Sequence, residues 1–191
     1  LRSIALHGML SRLIGWSAAR RADIDRALHA VHELALQRRR VVLCGDDDLP
    51  ILGRQLHNLA LEGKRPFVMC DPKRPRVSET PLHPANEPEP RAALAAAAGG
   101  TLCIWANRRS PDFEQLSRGL EDPDRRVRLM ICAKRLDEIT RIVEPPVFVT
   151  PLAQRPGDLP KLGEDYGADA LAELGETGKK PDKRDVSLMG E

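Results

Sequence analysis

Residues 23–45 read DIDRALHAVHELALQRRRVVLCG, and this stretch decides the fold class. Ile24, Leu28, Val31 and Leu34 or Ala35 recur at helical spacing, so 23–37 is predicted to be an amphipathic helix. Asp23 is a candidate N-cap, and the basic run 38–40 suits the negative end of the helix dipole. VVLCG then follows as a compact β-branched run closed by Gly45. It reads as a strand buried on both faces with a turn after it.

The same alternation continues outward. Residues 51–61 are predicted as helix, 66–70 (PFVMC) as strand and 71–90 as a loop with six prolines. RAALAAAA at 91–98 is a helix stopped by Gly99-Gly100, and TLCIW at 101–105 is a third strand. Residues 111–120 (helix), 126–132 (strand), 136–143 (short helix ending before Pro145), 147–150 (strand) and 159–174 (helix) complete the pattern. Five strands alternating with helices predict an α/β fold with a parallel sheet covered on both faces.

Composition narrows the classes. The 191 residues suit one domain, and 41% hydrophobic with 30% charged residues allow a packed core. The 30 basic and 28 acidic residues leave a net charge of +2, which gives no polyanion-binding excess. Aromatics at 3% disfavour a base-stacking platform. No apolar run approaches a membrane span, and 1–16 is broken by Arg2, His7 and Arg12, so no signal peptide is read. Cys44, Cys70, Cys103 and Cys132 each sit in an apolar run without a CxxC spacing. They read as buried thiols of a reduced, cytoplasmic protein with no metal centre.

Three segments together resemble the AAA+ domain of the sigma-54-dependent transcriptional activators. LIGWSAARRADIDRALHAVHELALQRRRVVLCG (13–45) looks like that family's opening segment, first helix and strand before the phosphate loop. AAAAGGTLCIW (95–105) is similar to its entry to the Walker B strand. VTPLAQRPGDLPKL (149–162) is similar to its passage after the last strand. LHNLALEGKRPFVMCD (56–71) and VRLMICAKRL (127–136) are weaker matches in the same order. The resemblance implies a three-layer P-loop NTPase-like fold, a five-stranded parallel sheet in the order 5-1-4-3-2, and a helical lid that is mostly missing. It divides the chain into an N-terminal arm (1–12), a degenerate AAA+ domain (13–174) and a charged tail (175–191).

The departures fall on the chemistry. A phosphate loop needs glycines for close backbone approach, a Lys for the terminal phosphates and a hydroxyl for Mg²⁺. Here Gly45 alone remains, followed by Asp46, Asp47, Asp48, Leu49 and Pro50. Three carboxylates repel phosphates, and Pro50 lacks an N–H. Trp105 and Ala106 stand where the family has its Walker B acids, and Lys134 stands at the sensor I position. The sigma-factor loop and the arginine-finger stretch have no counterpart.

The expected function is therefore non-catalytic: a pseudo-ATPase domain acting in regulation or scaffolding by protein–protein contact, with no ATP or Mg²⁺ cofactor. The alternative is an ATP-binding or weakly hydrolysing AAA+ protein of sigma-54-dependent regulation. The partner is expected to be a protein, with no membrane and no direct DNA contact, and a homo-oligomer stays open. Ile14 and Gly15 resemble the family's adenine-contacting segment and Arg155 an arginine of its last passage. Their structural reading is packing of the arm and an Arg155–Asp158 pair.

Three further features carry little. Asp46–Asp48 with Asp71 are weighed as Mg²⁺ ligands against a solvated acidic turn. His29 and His32 share a helix face but lack a third ligand. GETGKK at 175–180 has the wrong spacing for a phosphate loop.

Overall fold

The computed structural model describes residues 2–36, 40–46, 48–80, 83–108, 126–139 and 144–173. The predicted helix 111–120, the second half of 136–143 and the tail 175–191 lie outside the described residues, as does Asp47. In chain order the elements are α1 (Arg2–Ile14), α2 (Arg21–Leu36), β1 (Val41–Gly45), α3 (Leu49–Leu61), β2 (Phe67–Cys70) and β3 (Ala85–Asn86). They continue with α4 (Pro90–Ala96), β4 (Thr101–Trp105), β5 (Arg128–Ala133), β6 (Val147–Val149) and α5 (Leu159–Glu173).

The strands form one parallel sheet in the order β3-β2-β4-β5-β1-β6. This corrects the five-stranded 5-1-4-3-2 expectation, because a sixth strand lies within the proline-rich segment read as loop. Without it, the other five run β6-β1-β5-β4-β2 from the opposite edge, so the correction is confined to the added edge strand. Asn86 makes that strand. Its Nδ2 donates to the carbonyls of Asp71, Arg74 and Pro75, and its N–H and carbonyl bridge Val77. Two residues without an apolar run leave no local strand signal.

The sheet separates two cores. Val41, Leu43, Cys103, Met130, Cys132 and Val147 face α1, α2 and α3 through Leu10, Ile14, Ile24, Leu34 and Leu56. Val42, Val68, Leu102, Ile104, Leu129 and Ile131 face the other way, onto Ala93, Leu94 and Ala97 of and just after α4. Alternate residues of each strand thus serve opposite layers, which is why the strands read as unbroken apolar runs. All four cysteines are buried free thiols.

Smaller differences have local causes. The stretch read as an N-terminal arm is helical and buries Leu10 in the α2 core. Asp23 is not a cap: α2 begins at Arg21, and Asp23 is buried in the first turn against Arg20 and Arg26. Leu136–Ile139 winds as a 3₁₀ turn instead of an α-helix.

Candidate functional site

Open α/β sheets bind ligands beyond the carboxyl ends of their strands, and the residues singled out from sequence gather there. β1 ends at Gly45 and α3 starts at Leu49, so three positions, all aspartate in the sequence, separate the two elements. A phosphate loop needs a longer arc to aim several N–H groups at one anion. Here the N–H groups of Ile51 and Leu52 donate to the Asp48 carbonyl at 3.1 and 3.3 Å, and Pro50 has none to offer. Gly45 has a different task. A Cβ there would stand 2.2 Å from the Val149 carbonyl oxygen, so the glycine admits close packing of β6 on β1.

The exposed Asp46 carboxylate pairs with Lys134 Nζ at 3.2 Å, bridging the carboxyl ends of β1 and β5. The Lys134 N–H donates to Glu138 Oε2 at 3.0 Å. Trp105 is buried in the α2/α3 core, with its indole Nε1 lacking a hydrogen-bond partner among the described residues. The Arg108 guanidinium stacks 5.4 Å from its ring centroid. Ala106 is buried at the start of the following 3₁₀ turn. Neither Trp105 nor Ala106 supplies an oxygen ligand.

Asp71 does not join the acidic turn. It is fully buried at the end of β2, accepts from Arg108 Nη1 at 2.7 Å and from the Lys73 N–H at 3.0 Å, and faces Arg74 at 3.7 Å. Among the described residues no group of three His, Cys, Asp or Glu side chains could hold a metal ion. Asp71 is committed to Arg108 and is not brought together with Asp46 and Asp48, the arrangement weighed as an alternative Mg²⁺ site. His29 and His32 are both exposed, and His29 faces Glu33 at 3.9 Å.

The residues resembling an adenine-contacting segment are used in folding. Ile14 is fully buried in the core. Gly15 has φ +122°, and its N–H closes α1 on the Ser11 carbonyl at 2.8 Å. A side chain at Gly15 would meet Asp158 Oδ2 at 2.9 Å. Arg155 donates from Nη2 to the Leu13 carbonyl at 2.8 Å, from Nη1 to the Arg12 carbonyl at 3.4 Å and from Nε to the Thr150 carbonyl at 3.2 Å. It also pairs with Asp158 at 3.3 Å.

A cleft of about 550 Å³ opens at the carboxyl ends of β1, β5 and β6, lined by Arg20, Asp23, Arg26, Gly45, Lys134 and Thr150 among others. Its cations have local partners but not one each: Arg20 and Arg26 share the single Asp23 carboxylate at 3.6 and 2.5 Å, Lys134 holds Asp46, and Arg135 pairs with Asp137. The sequence reading missed the Asp23 cluster, although its i,i±3 spacing was visible. Burial disfavours the reactive thiolate form at three of the four cysteines. Burial, with Asp71 and Glu87 nearby, pushes Cys70 up to about 11, and burial raises Cys44 and Cys132.

The fold is similar to that of NtrX from Brucella abortus. The crystal structure of NtrX matches with a TM-score of 0.52 at 20% identity, over 90% of this chain and 44% of the NtrX chain. The chain therefore spans less than half the length of NtrX, and at this identity the likeness is one of fold. No protein family matches the chain in sequence, and no curated protein does. No helix among the described residues is long and apolar enough to cross a membrane.

Proposed function

We propose that the chain is a degenerate AAA+ domain of the sigma-54-activator type that acts in regulation by protein–protein contact and does not hydrolyse ATP. The observation that carries this reading is the connection from β1 to α3: three acidic residues span it, and Lys134 is ion-paired to the first of them. An NTPase of this architecture needs backbone donors and a Lys at that place, and metal-holding acids at the end of β4. Trp105 and Ala106 supply no such acid. The likeness of fold to NtrX and the sequence resemblance over 13–174 support the ancestry.

A second reading keeps ATP binding. It is favoured by the cleft at the carboxyl edge, whose lining includes Arg20, Arg26 and Lys134. Calorimetric titration of the purified chain with ATP, with and without Mg²⁺, separates the two. Absence of heat at millimolar ATP is the expected result. Saturable, magnesium-dependent binding would overturn the claim that the acidic connection excludes ATP, reopen the ATP-binding reading and direct attention to Asp46 and Asp48.

A further inference from the structure

The amino edge of the sheet, opposite the cleft, gathers arginines. Arg128 opens β5 and is 8% exposed. Its Nε donates to the Leu34 carbonyl at the end of α2, and its Nη1 donates to the Gly99 carbonyl at 3.2 Å. Arg65, just before β2, reaches the same glycine: a methyl group on Gly99 would stand 3.7 Å from Arg65 Nη1. Arg126 is exposed two residues before Arg128, as Gly99 is two residues before Thr101, and Thr101 and Arg128 are register partners. Among the described residues no carboxylate forms an ion pair with Arg65, Arg126 or Arg128. Both burial and the neighbouring Arg65 guanidinium disfavour the charge on Arg128.

Two carbonyl oxygens offset one buried guanidinium only in part, because they bring partial charges. The guanidinium groups of Arg65 and Arg128 meet at one glycine turn, with Arg126 exposed two residues along the chain from Arg128, and three positive charges so placed are matched best by a dianion. A phosphate offers several acceptor oxygens, and guanidinium forks suit them. A carboxylate would leave two charges unmatched. A nucleic-acid backbone needs a longer row of contacts than this cluster offers.

We propose that Arg65, Arg126 and Arg128 form a binding site for a phosphate dianion, either free or carried as a phosphomonoester on a partner. The site is independent of the carboxyl-edge cleft.

The test is calorimetric titration of the full chain with inorganic phosphate, with chloride at matched ionic strength as the control. Parallel arms use a phosphoserine peptide, its unphosphorylated form and a random-sequence DNA duplex. Saturable phosphate binding is expected, weakened about tenfold or more by Arg65→Gln and by Arg126→Gly. Arg126 has φ +48°, a conformation glycine adopts freely, so the second variant keeps the fold. Binding of the phosphopeptide but not its unphosphorylated form assigns the source to an esterified group. Binding of inorganic phosphate alone assigns it to the free ion. Phosphate behaving like chloride, both variants binding like the parent, or duplex binding without phosphate binding would each overturn the proposal.

Discussion

Lys134 and Asp46 are joined across the carboxyl ends of β5 and β1, with Nζ 3.2 Å from Oδ1. Both side chains are more than half exposed, so the pair occupies the mouth of the cleft without holding the fold together. Exposed pairs contribute about 0–1 kcal/mol. Asp46→Asn and Lys134→Gln are each expected to shift a urea unfolding midpoint only slightly, with a change in free energy below about 1 kcal/mol. A larger loss in either variant would show that the pair has a structural role.

Arg155 is a different case. It ties the last carbonyls of α1 to the end of β6, across more than 140 residues of sequence. Arg155→Met leaves those acceptors without a donor and is expected to destabilise by about 1–3 kcal/mol. Amide exchange should quicken first in α1, whose Gly15 N–H closes the helix beside this arginine. Uniform exchange across α1 and the central strands would contradict the local role.

Asp71 has no exposure and depends chiefly on Arg108 for its counter-charge. Arg108→Leu leaves a buried carboxylate that, among the described residues, faces Arg74 at 3.7 Å and the Lys73 N–H. The expected loss is about 3 kcal/mol, measured by denaturant unfolding. Adding Asp71→Asn removes the stranded charge and should recover part of that loss. A double variant as unstable as the sum of the two singles would count against the pairing.

His57 sets a pH dependence. It is fully buried, with Nδ1 2.8 Å from Thr101 Oγ1 and Nε2 2.9 Å from the Arg65 carbonyl. Burial, then the Arg128 charge, lowers its pKa below the ordinary 6.5, although the Arg65 carbonyl acts the other way. The unfolded chain therefore takes up the proton first. The stabilising contribution is fully present above about pH 6.5 and is lost as pH falls through the folded-state value. Thermal midpoints measured between about pH 8 and about pH 5 should fall at the acidic end, and His57→Gln should flatten that slope. An unchanged slope in the variant would assign the acid sensitivity to other groups.

The strands were legible because the chain writes them locally. VVLCG, LCIW and LMICA are unbroken apolar runs, and only burial on both faces of a parallel sheet makes such runs useful. The edge strand at Ala85–Asn86 was not legible, since its cause is the Asn86 amide reaching carbonyls 11 to 15 residues earlier. In the candidate site the missing Lys and acids were plain in the sequence. The use of Gly45 was not, because the atom that forbids a side chain there belongs to Val149, on the far side of the chain's connectivity.

The sequence by itself determined the α/β class, the buried thiols and the lack of a phosphate-loop motif after β1, because these follow from periodicity, residue type and spacing along the chain. Tertiary structure alone decided that Asp71 belongs to Arg108, that Arg155 closes α1, and that Arg65 and Arg128 share one glycine turn. The physical reason is that charge pairing depends on distance in space, which only the register of neighbouring strands and the packing of helices upon them fix.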